Sequence, residues 1–163
     1  MLHVRAARTE DVVALAPRLR VADLRELEGA TGESPEVVLR AGVLESEPCF
    51  AIVDPRDTPV ALFGVVPDAL APDVGLLWLV AADELDRHPV SFVRACRGWV
   101  MQLQLRYRVL WNWVDARNGV HVRWLIWCGF ELIERVEDHG ANALPFYRFH
   151  KVRGQRQDED ASR

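Results

Sequence analysis

The chain has 163 residues, half of them hydrophobic, a size and composition that suit one globular domain able to bury a core without metal or disulfide staples. A formal charge of −4, with acids and bases interspersed, argues against a nucleic-acid domain built on a basic face. No apolar run approaches the ~18 residues of a membrane span, and the opening MLHVRAARTED lacks the layout of a signal peptide, so a soluble intracellular protein is expected.

In chain order, Leu2 to Arg5 reads as a short strand. A helix should start at Thr9, where a hydroxyl and the carboxylates of Glu10 and Asp11 suit first-turn amides. Helical spacing resumes from Arg18 to Glu28 and breaks at Gly29 to Gly32. Ser34-Pro35-Glu36 restarts it, with Ser34 as cap and Pro35 in the first helical position, and Pro48 ends the segment.

From Cys49 the pattern turns to strands: CFAIV, a turn-rich DPRDTP, then VALFGVV, together a hairpin. Gly75 to Val80 is a further strand, followed by the polar stretch Ala82 to His88. Pro89 opens the longest helical segment, about residues 89 to 106, with its apolar face toward the sheet. Val109 to Asp115 is a nearly continuous apolar run, as in a strand covered on both faces. Asn118 then stands where an N-cap belongs and Gly129 where a left-handed residue ends a helix. Glu131 to Val136 and Leu144 to Val152 close the domain as strands, and residues 153 to 163 form a tail expected to be disordered. The six tryptophans read as core by their spacing, unless Trp124 and Trp127 share an exposed face and mark a contact surface. Cys49, Cys96 and Cys128 are isolated among apolar residues without metal-ligand spacing and read as buried free thiols. No zinc or other metal site is proposed.

This order of elements, with the eleven-residue step from Asn118 to Gly129-Phe130, resembles the GCN5-related N-acetyltransferase (GNAT) superfamily over residues 1 to 152. The resemblance implies a single-domain α/β fold with a mixed, mostly antiparallel sheet, flanking helices, and a split between the fourth and fifth strands. It implies acetyl coenzyme A or coenzyme A as cofactor, lying across the split with its pyrophosphate at the start of the following helix. More narrowly, NWVDARN, VRWLIWCGF and the early Asp-Leu-Arg-Glu-Leu resemble acetyltransferase-like internal virion or assembly proteins of podoviruses. That likeness implies a phage protein with virion components or itself as partner, located in the virion or the host cytoplasm.

The sequence departs from the superfamily pattern in two places. The phosphate corner, usually Arg or Gln followed by glycine-like positions, reads ADELDRHPVSFVRA, with no glycine between Gly75 and Gly98 and no amide hydrogen at Pro89. Asp83, Glu84 and Asp86 add negative charge there, and Arg87 and His88 are the available compensation. Members often carry a Tyr seven residues after the Asn to protonate the departing thiolate; here it is Leu125, with His121 or Cys128 as conceivable substitutes. Asp115 and Asn118 lie at the polar corner, Asp115 as a base for an amine proton and Asn118 at the cofactor. Each also has a structural reading: Asn118 caps its helix, and Asp115 pairs with Arg117, Arg123 or another nearby arginine. These departures favour a degenerate scaffold acting in phage assembly through protein contacts; the alternative is an active acetyl-coenzyme-A-dependent N-acyltransferase.

Overall fold

The computed structural model describes residues 1–154. One sheet of seven strands organises them: β1 (His3–Ala6), β2 (Cys49–Val53), β3 (Pro59–Pro67), β4 (Val74–Ala81), β5 (Val109–Asp115), β6 (Glu131–His139) and β7 (Leu144–Val152), in the spatial order β1-β2-β3-β4-β5-β7-β6. Every pairing is antiparallel except that of β4 with β5. A parallel pair needs a crossover connection, and α4 (Pro89–Arg106) supplies it. Helices α1 (Thr9–Leu15), α2 (Val21–Thr31) and α3 (Pro35–Glu45) flank one face, where Val12, Leu15 and Leu39 pack on Ala51, Val53, Leu62 and Val80. The other face meets α4 and α5 (Gly119–Trp127), whose Cys96, Val100, Leu103 and Leu125 pack on Val65, Leu77, Leu110 and Val114. The mixed, mostly antiparallel α/β architecture expected from the sequence is the one observed.

The split opens where side-chain size and hydrogen bonding change along β4 and β5. The parallel ladder covers only Val74 with Val109, Gly75 with Leu110 and Leu76 with Trp111. A Cβ at Gly75 would run into Val65 and Tyr107, so glycine permits the close packing at this closed end. One residue on, Asn112 Nδ2 donates to the Leu77 carbonyl at 2.8 Å and stands in for the ladder. Beyond it β4 continues with β3 and β5 with β7, and the two strands pair with each other no further.

Several boundaries differ from the sequence expectation. The second helix starts at Val21 rather than Arg18, because Ala16–Arg18 form a 3-10 turn and Leu19 makes an isolated antiparallel bridge to Ala82. It also runs through Gly29 to Thr31 and ends at Gly32, which takes a left-handed φ of 70°. Gly29 is a contact position rather than a breaker: a Cβ there would lie 2.9 Å from Leu144 Cδ1. The N-cap amide of α1 is served from Asp11, whose Oδ2 accepts the Arg8 N–H at 2.8 Å, and Thr9 is already the first helical residue. Ser34 holds the N-cap position of α3 but makes no side-chain cap bond. The polar stretch before α4 contains a second 3-10 turn, Asp83–Arg87, and β6 extends to His139. Most of the tail anticipated for residues 153 to 163 lies outside the described residues.

Candidate functional site at the strand split

The corner after β5 is built by its own short-range chemistry. Asp115 is 2 % exposed and its Oδ1 accepts the Arg117 backbone N–H at 2.9 Å, while Arg117 Nη2 reaches Oδ2 at 2.6 Å. Burial pushes this carboxyl up, but the Arg117 guanidinium and amide outweigh it and hold Asp115 below the ordinary carboxylate range. Asp115 is therefore a weak base locked in a turn, and the pairing with Arg117 is the reading the structure realises. Asn118 caps α5, its Oδ1 accepting the His121 N–H at 3.3 Å. Its Nδ2 points the other way and donates to Glu26 Oε2 at 3.1 Å, with Asp23 Oδ1 at 3.5 Å.

Those two contacts tie the start of α5 to α2, and they bring together a buried polar group that sequence reasoning missed. Asp23, 3 % exposed, accepts the Ala81 N–H at 2.8 Å and a double hydrogen bond from Arg20. Burial dominates there and raises its carboxyl above the ordinary value despite Arg20. His121 is 8 % exposed, and its Nδ1 stands 3.5 Å from Glu26 Oε2, too far for a formed hydrogen bond and without another partner. Burial pushes the imidazole down, and the Glu26 carboxylate more than restores it, so His121 titrates above its ordinary value. Glu26 lies in the Asp-Leu-Arg-Glu-Leu run, where i, i+3 spacing placed Asp23 and Glu26 on one helical face. That face was the available signal; its partner, ninety-odd residues later, was not.

Two cavities meet at this group. The first, about 470 Å³, lies on the α2–α3 side of the split between Asp23, Glu26, Trp78, Trp113, His121 and Phe146, among others. Trp78 is held against α3 by donating to Ser46 Oγ at 2.8 Å and by packing on Gly42, and Trp113 stacks on His139 at 4.1 Å, so both line the opening without filling it. The second, about 300 Å³, runs between the N-terminal ends of α4 and α5, with Arg20, Asp86, Phe92, His121 and Arg123 on its walls. Trp124 borders both; it stacks with Phe92 of α4 at 6.1 Å between ring centres, and its Nε1 is buried without a partner. A third, apolar cavity of about 380 Å³ lies beneath α4 between Leu2, Phe63, Trp99 and Trp124.

The corner after β4 is different in kind. Glu84 pairs with Arg18 at 3.1 Å and Asp86 with Arg20 at 3.2 Å, while the amides of Leu85 and His88 are spent on Ala82 and Leu85 carbonyls. Arg87 is exposed and lines none of the three cavities; His88 borders the apolar one. The structure thus joins Asn118 and His121 in one site, sets Asp115 beside it in a structural turn, and leaves Arg87 and His88 apart. Leu125 is buried in the core. Cys96 and Cys128 are buried too, and the Cys96 thiol is pushed far up by its hydrogen bond to Cys128 and by burial, which removes it as an acid or nucleophile. Trp127, 46 % exposed beneath the Arg97 guanidinium, does not share the inward face of Trp124. No group of three or more potential metal ligands occurs among the described residues, and no helix among them is long and apolar enough to cross a membrane.

No family model and no curated protein matches the sequence. Solved structures do. A GCN5-related N-acetyltransferase from Kribbella flavida is 20% identical, with 93% of this chain and 97% of that one covered at a TM-score of 0.68. The aminoglycoside acetyltransferase AAC(6')-Ib, in complex with ribostamycin and coenzyme A, is 16% identical, with 98% and 99% covered and a TM-score of 0.69. The ribosomal-protein-S18-alanine N-acetyltransferase of Escherichia coli is 14% identical, with 98% of each chain covered at 0.69. At these identities the likeness defines architecture, and it agrees with the strand order, the single parallel pair and the open split: the chain has the GCN5-related N-acetyltransferase fold.

Proposed function

We propose that the protein transfers an acyl group from a coenzyme A thioester to an amine. The observation that carries this reading is His121: a buried imidazole bordering both the cavity between α4 and α5 and the acidic cavity on the other side of the split, with Nδ1 free of any hydrogen bond and Glu26 behind it. An unsatisfied buried polar atom costs folding free energy, about 1–3 kcal/mol, and such groups are retained where a ligand or reaction uses them.

Part of the chain suits coenzyme A and part does not. Beyond Leu76 the β4 edge is released from β5 and open to an extended ligand, and Arg123 and Arg20 line the cavity between the helices. The glycine-free turn ahead of α4 offers less to a pyrophosphate than the usual loop, and Arg87, exposed in its last position, is the cation that this turn itself supplies. When bound, the cofactor supplies an activated acyl thioester. Asn118 fixes Glu26 and the start of α5; the Glu26 carboxylate, 3.5 Å from Nδ1, favours the protonated His121 imidazole; His121 would accept the proton that the amine nitrogen loses as it bonds to the acyl carbon and the thiolate leaves. Leu125 gives the departing thiolate no phenol, so its proton comes from solvent or from His121 in the next step.

Coenzyme A release with acetyl coenzyme A and a primary amine tests the reading. Amine-dependent thiol production that His121→Gln lowers by about 100-fold supports it; equal rates for both proteins contradict it.

A second reading, a non-catalytic scaffold that works in a phage particle through protein contacts, draws on the exposed Val120, Ile126 and Trp127 of α5 and on the missing phosphate loop and phenol. Mass spectrometry of purified particles tests it, with the protein expected at fixed stoichiometry; its absence from particles counts against it.

A further inference from the structure

The acidic cavity has a composition unlike the rest of the molecule. Four carboxylates border it, Asp23, Glu26, Glu33 and Glu45, yet no arginine or lysine does, in a chain that carries 20 of them. Asp23 is already matched by Arg20. Glu26 accepts a hydrogen bond from Asn118, its only ion-pair partner among the described residues is the His121 imidazole, and neither Glu33 nor Glu45 forms an ion pair there. Both of these are exposed, whereas Glu26 and His121 lie at the buried end. Between them the walls are aromatic, with Trp78, Trp113, Trp124 and Phe146. A second sign of a ligand is His121 itself, 8 % exposed, whose ring borders the same space and whose Nδ1 has no hydrogen-bond partner.

From this arrangement we infer that the cavity takes an organic dication: an amine that reacts at the buried end beside Glu26 and His121, an apolar or aromatic body, and a second positive charge drawn to the rim, where Glu33 and Glu45 stand at opposite ends of α3. Aromatic faces attract cations and apolar carbon alike, and carboxylates without competing cations supply the charge complement. The same lining disfavours amines that carry a carboxylate or phosphate, such as amino acids, because it offers an anion no arginine or lysine and four carboxylates. At about 470 Å³ the space suits a small molecule, within the usual range for such sites. The inference rests on the acyl-transfer reading for the fate of the amine, but not for its binding.

The experiment compares m-xylylenediamine, phenethylamine and phenylalanine, first as ligands by quenching of tryptophan fluorescence, then as acceptors with acetyl coenzyme A. The diamine is expected to bind about tenfold more tightly than phenethylamine, and phenylalanine more weakly than either. Replacing both mouth carboxylates, Glu33→Gln with Glu45→Gln, should bring the diamine to within about threefold of phenethylamine; exposed positions make loss of folding an unexpected outcome, and circular dichroism checks it. Diamine binding without any binding of coenzyme A would sink the acyl-transfer reading and keep this inference. Coenzyme A binding with equal affinity for diamine and phenylalanine would overturn the inference and keep the reading. Binding of neither would overturn both.

Discussion

The corners that follow β4 and β5 hold corresponding places at the mouth of the same split, yet they are stabilised in opposite ways. After β5, Asp115, Asn118 and Gly129 satisfy turn and helix ends locally, and Asn118 then reaches across to α2. After β4, two of the three acids, Glu84 and Asp86, are paired by Arg18 and Arg20 from the segment between α1 and α2, and Pro89 removes an amide from the helix start. One corner therefore uses the rest of the chain to build a polar site, whereas the other uses it to cancel charge. The difference explains how a chain can keep a connected polar site after β5 while departing from the resembled superfamily's pattern after β4.

Breaking the long-range support of the β5 corner should have the largest effect. Asp23→Ala leaves Arg20 and the Ala81 amide without their acceptor, and is expected to cost about 3 kcal/mol in denaturant unfolding. His121→Phe should lower turnover about 100-fold, or roughly 2.7 kcal/mol of barrier, with the fold intact by near-ultraviolet circular dichroism. Asn118→Ala should cost ~1 kcal/mol as a lost cap and disturb Glu26 as well, so a greater fall in activity than in stability is expected. The β4 corner should respond weakly: Glu84→Gln with Asp86→Asn is expected to tighten coenzyme A about two- to fivefold by removing negative charge, and Arg87→Ala to weaken it by about the same factor. Calorimetry reads both, and an Arg87→Ala protein with unaltered affinity would remove Arg87 from the phosphate site.

His121 also sets a pH test with a definite sign. Its value in the folded protein is raised above the ordinary 6.5, so the stability it contributes is complete below about pH 6.5 and is lost as pH climbs through the raised value. A base must be unprotonated to act, so turnover should rise over the same window in which that stability is lost. His121→Phe should flatten both curves; a wild-type rate that falls across this window would argue against His121 as the base.

Local rules made much of the fold legible before any coordinates. Asn118 and Gly129 bracket α5 as their residue types demand, Pro35 and Pro89 open helices, and the β2–β3 hairpin and the apolar β5 stand where their patterns put them. Boundaries failed where a distant contact overruled a local preference: Gly29 continues its helix because Leu144 needs the space, and Leu19 leaves the helical pattern to meet Ala82. The site was half legible for the same reason. His121 and Asn118 could be named from the corner, but Asp23 and Glu26 looked like the polar face of an ordinary helix until the fold brought α2 against α5. Asp115, the more conspicuous acid, turned out to serve its own turn, because Arg117 sits two residues away and satisfies it first.

Titration calorimetry of the purified protein with coenzyme A, alongside acetyl coenzyme A, bears most directly on the claim that the open split still binds its cofactor despite the altered β4 corner. Saturable binding of one ligand per chain, weakened by Arg123→Ala, is the predicted result; no heat of binding at millimolar ligand would contradict it.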